Sequence, residues 1–260
     1  MSGGWTMGFR RPGSRKILRK GAVAAALLFS GVGNAESDPS GTYVFISQSR
    51  SVTKLPVVKD YVALTRSVAV LELRYDGKRL VGTGPLCSVE LAGSSSMVRM
   101  ELPPAFQRSL PPVRIDATLK KQGDSVRFEQ APQTVVVGAR LGDPIREKLP
   151  ESADDARVVD QDRDGRPGVT VRVHGIVSGE VFVVQRSTSQ LRGVQDEKGF
   201  SGQVIFQNEQ SVVGATSPFL KGNRASEPTR EGSWFRLERL AKGKGCDAAK
   251  ARAQASFTAE

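Results

Sequence analysis

The sequence is short of the residues on which many enzyme sites depend. Its 260 residues include one histidine, His174, and two cysteines, Cys87 and Cys246. A single histidine cannot build a histidine zinc cluster, and the two cysteines stand far apart with no ligand spacing. A Ser-His-Asp site would have to use His174, yet no Gly-x-Ser-x-Gly stretch offers the serine. Strand acids such as Glu72, Glu90, Glu101 and Glu129 leave a carboxylate-pair enzyme open, although exposed strand acids are usually solvated faces. Basic residues form no run of five or six, so the concentrated basic face of a nucleic-acid binder is missing and no nucleic-acid partner is expected. No apolar run reaches the roughly 20 residues needed to cross a bilayer.

What the chain does have begins at its N-terminus. Residues 1–35 carry Arg10, Arg11, Arg15, Lys16, Arg19 and Lys20 and no acid, out of a formal net charge of +11. An apolar run from Gly21 to Gly33 follows, then Asn34 and Ala35. A basic start, a short apolar middle and small residues before a polar boundary predict a secretory signal peptide over 1–35. Retention of that run as an anchor is the alternative. Arg10-Arg11 lacks the apolar continuation of a twin-arginine signal, and no cysteine follows the cleavage point to carry a lipid. The expected location is exported, periplasmic or extracellular, with no transmembrane span left after processing.

The rest of the chain is long enough for one core or at most two small domains. Its apolar residues recur with period two. Ala69, Leu71, Leu73 and Tyr75 share one face, and Asp76-Gly77 then marks a hairpin turn. Val113, Ile115, Ala117 and Leu119 alternate with Arg114, Asp116, Thr118 and Lys120. Val169, Val171 and Val173 alternate with Thr170, Arg172 and His174. No long amphipathic helix interrupts the pattern. The prediction is an all-β antiparallel barrel, with a sandwich as the alternative, over residues 36–240. Pro103–Pro112 reads as one helical turn between proline pairs, a connector or a lid. Ser152 and Asp155 suggest a short capped helix in the polar connection 142–159. Residues 241–260, rich in Ala, Lys and Gly, read as a flexible C-terminal tail. Cys87 and Cys246 are either a disulfide, worth about 5 kcal/mol in the chain-entropy model, or two thiols with Cys87 as a small core residue.

The most chemical stretch is Asp160–Gly168, DQDRDGRPG. Acids at alternate positions before a glycine let three side-chain oxygens converge while the glycine permits a sharp turn. The stretch resembles the first half of the D-x-D-x-D-G calcium loops of the EF-hand and thrombospondin type 3 kinds. That resemblance implies calcium held by Asp160, Asp162 and Asp164, with the backbone carbonyl of Arg166 as the next ligand. Valine stands at 171, where an EF-hand has its bidentate glutamate, so Asp154, Asp155 or Glu180 would have to complete the shell. Arg163 and Arg166 offset two of the three acids, which places the expected affinity at about 10⁻⁴–10⁻³ M. The competing reading is an Asp-rich turn whose carboxylates bond their own backbone.

Gly41-Thr42-Tyr43 near the mature start and Gly232-Ser233-Trp234 with Arg236 near its end resemble lipocalin-like barrels. In that family a G-x-W triplet opens the first strand and a late basic residue packs over the tryptophan. The resemblance implies a closed sheet able to enclose one small apolar molecule. The functional expectation is a non-enzymatic envelope or secreted binding module with a weak calcium loop. A barrel carrying a small apolar ligand is second, and a hydrolase using carboxylates or His174 is third. The partner expected is accordingly a small apolar ligand or an envelope component.

Overall fold

The computed structural model describes residues 38–54, 60–95 and 97–258, so the expected signal segment 1–35 lies outside the described residues. Strands dominate, as the period-two alternation predicts. In chain order they are β1 (Gly41–Thr53), β2 (Tyr61–Tyr75), β3 (Arg79–Gly84), β4 (Leu86–Gly93) and β5 (Val98–Glu101). Helix α1 (Pro104–Ser109) follows, then β6 (Val113–Gln122), β7 (Ser125–Gln130), β8 (Gln133–Val137) and β9 (Val169–Gly175). The chain ends with β10 (Gly179–Asp196), β11 (Gly199–Ala215), β12 (Ser226–Arg239) and helix α2 (Cys246–Thr258).

The turns follow from local chemistry. Between β2 and β3, Asp76 Oδ1 accepts hydrogen bonds from the backbone N–H groups of Lys78 and Arg79 at 2.9 and 2.7 Å. Gly77 takes φ +95°, which a side chain would resist. Gly123, at φ +61°, does the same between β6 and β7.

The twelve strands among the described residues belong to one antiparallel sheet, and eight of them close a ring. Its order is β11-β12-β1-β2-β3-β6-β7-β10, and β10 pairs back onto β11. Each ring strand sends at least one apolar side chain inward, and the aromatic rings meet at the centre. Phe128 lies 5.3 Å from Phe200 and 5.4 Å from Phe235 between ring centroids. Tyr43 packs in the same cluster, and the Arg239 guanidinium lies 5.4 Å from its ring centroid. Side chains therefore fill this interior. Trp234 faces outward instead, stacked against Phe257 of α2 at 5.7 Å. Arg236 does lie over Trp234, at 5.0 Å, but outside the ring.

The long strands change partners along their length. The C-terminal part of β2 pairs with β3 and its N-terminal part with β4. β10 pairs in turn with β9, β8 and β7 as it runs from Gly179 to Val194. Under this second stretch lies another apolar cluster, built on Val89, Val137, Val169 and Val183. Phe106 of α1 plugs it. The proline-bracketed segment is thus a packed helical turn and not a lid over a void.

Two expectations are corrected. The stretch 241–260, read as a flexible tail, contains α2, whose Ala249 and Ala253 are buried against Val44, Ile46 and Val68. A disulfide from Cys246 to Cys87 fixes its start, and the Arg252 guanidinium bonds the buried Glu238 carboxylate at 2.6 Å. The capped helix expected at Ser152 is a set of turns, with the Asp155 N–H bonded to the Ser152 carbonyl at 3.3 Å.

Candidate metal centre

The acidic stretch lies where β10 passes from its partner β8 to its partner β9. The connection from Gly138 to Gly168 leaves the end of β8, loops outward and returns to start β9. Both flanking glycines press on the Val183 carbonyl. A Cβ would fall 2.6 Å from that oxygen at Gly138 and 2.4 Å at Gly168, and both residues have positive φ. Only glycine permits this close approach of three backbones.

Inside the connection the backbone winds left-handed twice, at Arg163 (φ +60°) and Gly165 (φ +81°). This winding turns Asp160, Asp162 and Asp164 inward, so that one carboxylate oxygen of each lies within 4.8 Å of the others. Asp160 accepts from the N–H groups of Asp164 and Gly165 at 3.1 and 2.9 Å. Asp164 accepts from the Arg166 N–H at 2.9 Å and from the Thr170 hydroxyl. Those two acids behave as an Asp-rich turn would have them.

Asp162 does not. It is 7 % exposed, and its Oδ2 accepts from the Thr170 N–H at 3.0 Å. Its Oδ1 is buried and has no hydrogen-bond partner among the described residues. Burial pushes its carboxyl above the usual carboxylate range, and the neighbouring charges of Asp164 and Asp160 add to that, against the opposing Thr170 bond. A buried carboxylate oxygen without a hydrogen-bond donor is costly unless a proton or a cation joins it. The triad could hold a metal ion.

Gln161, between the first two acids, was not singled out by its sequence, yet it anchors the loop. Its Oε1 accepts from the Gly138 N–H at 2.8 Å, and its Nε2 donates to the Ser109 carbonyl at 3.0 Å. Thr170 bridges Asp162 and Asp164 from β9. The Arg166 guanidinium lies over the Phe182 ring at 5.4 Å.

The acids expected to complete the shell are engaged elsewhere or stand apart. Asp155 pairs with Arg157 at 2.6 Å, and that guanidinium holds its carboxyl down to about 2. Glu180 faces Arg172 at 3.4 Å. Asp154 does not join the triad. His174 lies away from the loop, with Nε2 3.2 Å from Glu101 on a half-exposed surface. Of the other strand acids, Glu129 pairs with Lys120 at 2.8 Å and Glu72 accepts from Thr42 at 2.8 Å. No family model matches the chain, and neither does any curated protein or any solved structure.

Proposed function

We propose that this is an exported, non-enzymatic β-domain of the envelope or secreted binding class, stapled by a calcium ion. Asp160, Asp162, Asp164 and the carbonyl of Arg166 are its ligands, with water completing the shell. Calcium takes oxygen ligands at about 2.3–2.6 Å, so two ligands of one ion lie at most about 5 Å apart. The 4.8 Å spread of the three carboxylates is compatible with that limit. Two observations carry the reading together: Asp162 Oδ1 is buried and unpartnered, and the Asp162 carboxylate lies in a cluster with those of Asp160 and Asp164. The ion would do no chemistry. It would offset the repulsion among the acids and tie the connection to the start of β9. Carriage of a small apolar molecule draws no support from the ring interior, which aromatic and aliphatic side chains occupy.

The test is thermal unfolding of residues 36–260 in EDTA and in about 10 mM calcium. With an affinity of about 10⁻⁴–10⁻³ M, mass action gives about 1.4–2.7 kcal/mol of stabilisation. That corresponds to a rise in Tm of about 3–10 °C for a domain of this size. Asp162→Asn should keep less than half of the rise and, in EDTA, should melt no lower than the parent. No shift of the parent, or an equal shift of the variant, rules the staple out.

A further inference from the structure

Helix α1 has little of its own to hold it. Its six residues are too few for a helix to persist by backbone bonding alone. No side chain caps its N-terminus. Pro103 and Pro104 at its start, and Pro111 and Pro112 beyond its end, have no N–H to offer a ladder. Its polar side chains turn back on the same segment. Gln107 Nε2 donates to the Leu102 carbonyl at 3.0 Å, and the Ser109 hydroxyl donates to the Phe106 carbonyl at 2.8 Å. Among the described residues, the hydrogen bonds that reach α1 from the rest of the chain both start at Gln161 Nε2. They end on the Ser109 carbonyl at 3.0 Å and on Ser109 Oγ at 3.5 Å.

Gln161 stands between Asp160 and Asp162, so this tether belongs to the acidic turn. The base of the turn is tied in turn to both flanking glycines. The Val159 N–H donates to the Gly138 carbonyl at 3.0 Å, the Gly168 N–H to the Val159 carbonyl at 3.1 Å, and the Gln161 N–H to the Gly168 carbonyl at 3.1 Å. The apolar side of α1 leads to the same place. Phe106 is buried in one cluster with Val137, the last residue of β8, and Val169, the first residue of β9. Those are the two strand ends that the acidic connection joins.

We propose that α1 and the acidic turn open and close as one unit, and that calcium held by the three aspartates keeps the unit shut through Gln161. The inference rests on the calcium reading above and adds a consequence to it: the ion latches the plug over the second apolar cluster. Without the ion, repulsion among three clustered carboxylates, one of them buried, favours opening of the turn. An opened turn carries Gln161 away from Ser109, and Phe106 loses the polar tether that holds its helix in place. Local openings of this kind involve contiguous groups of residues that move together. An ion bound only by the closed form suppresses every opening that releases it, by the factor 1 + [Ca²⁺]/Kd. Openings of α1 that left the ion in place would not be suppressed, and that difference makes the coupling measurable.

The test is limited proteolysis at neutral pH of residues 36–260, which contain every core side chain named above. An arginine-specific protease is used whose rate on a reference peptide is the same in EDTA and in about 10 mM calcium. Arg108 lies in α1 and Arg163 in the acidic turn, and both are exposed, so each site reports the opening of its own segment. In the parent, calcium should slow cleavage at both sites by about 10–100-fold, the factor that an affinity of about 10⁻⁴–10⁻³ M gives. In Gln161→Ala, calcium should still slow cleavage at Arg163 and still raise Tm, while its effect at Arg108 falls below about twofold. The parent comparison decides by itself. Calcium that raises Tm and slows cleavage at Arg163 but not at Arg108 overturns the coupling and leaves the calcium site standing. Calcium that changes neither Tm nor either cleavage overturns both. Equal calcium protection of Arg108 in the parent and in Gln161→Ala overturns the route through Gln161.

Discussion

Asp162 and Asp155 are two acids on one loop with opposite proton behaviour. Asp162 is buried among acids, so its carboxyl titrates above 3.8. The stability it lends the ion-free protein is present below its unfolded value and is lost as pH rises through the raised one. In the proposed staple, calcium would take the place of that proton. Calcium-induced stabilisation should therefore be absent near pH 3 and grow as pH rises toward neutrality, which paired melts in calcium and EDTA across pH would read. An equal calcium shift at every pH would contradict this. Asp155, held by Arg157 at about 2, contributes stability above 3.8 that is lost as pH falls toward 2. Asp155→Asn should lower Tm at neutral pH by a small amount, since the pair is partly exposed, and the difference should vanish in acid. At this scale the three aspartates and Gly165 were legible, because side-chain convergence around a turn is written as spacing. Gln161, Thr170 and Gly138 were not. Their roles come from Ser109, Asp162 and Val183, partners that only the fold brings near.

Among elements, the strands were legible and α2 was not. Alternation exposes a strand at once, because each side chain's face follows from its parity. Helix α2 buries only a narrow stripe, Ala249, Ala253 and Ser256, so its sequence carries little helical periodicity. Its attachment comes from outside its own sequence: the Cys87–Cys246 disulfide, the Arg252–Glu238 pair, and Phe257 held between Arg66 and Trp234. Loss of the covalent link should therefore act mainly on this helix. Cys87→Ser/Cys246→Ser should destabilise the domain by about 2–5 kcal/mol in denaturant melts. Hydrogen exchange should speed up in Cys246–Thr258 first, leaving the centres of β1 and β2 protected. Uniform acceleration across the sheet would contradict the picture of a helix clamped onto a self-sufficient ring.

For the molecule as a whole, ring closure is the feature that alternation could not reveal. Hairpins such as β2–β3 and β6–β7 are local, and their turn residues announce them. The pairing of β1 with β12 joins the two ends of the sheet-forming chain, and no short pattern encodes it. The partner changes along β2 and β10 are equally silent, because a long strand has the same parity whichever neighbour it takes. Closure is held by the aromatic centre, where Phe128, fully buried, meets Phe200 and Phe235. Phe128→Ala should cost about 3–5 kcal/mol in equilibrium unfolding, since the ring cannot collapse into the space left. A cost below about 1 kcal/mol would mean that the centre is loosely packed.

The central claim, that a cation resolves the buried charge of Asp162, is tested most directly by a crystal structure of residues 36–260 grown in calcium. The account predicts an ion about 2.3–2.6 Å from an oxygen of Asp160, Asp162 and Asp164 and from the Arg166 carbonyl, with Asp162 Oδ1 among the ligands. A water molecule or a protonated carboxyl satisfying Asp162 Oδ1, with no ion among the three acids, would contradict it.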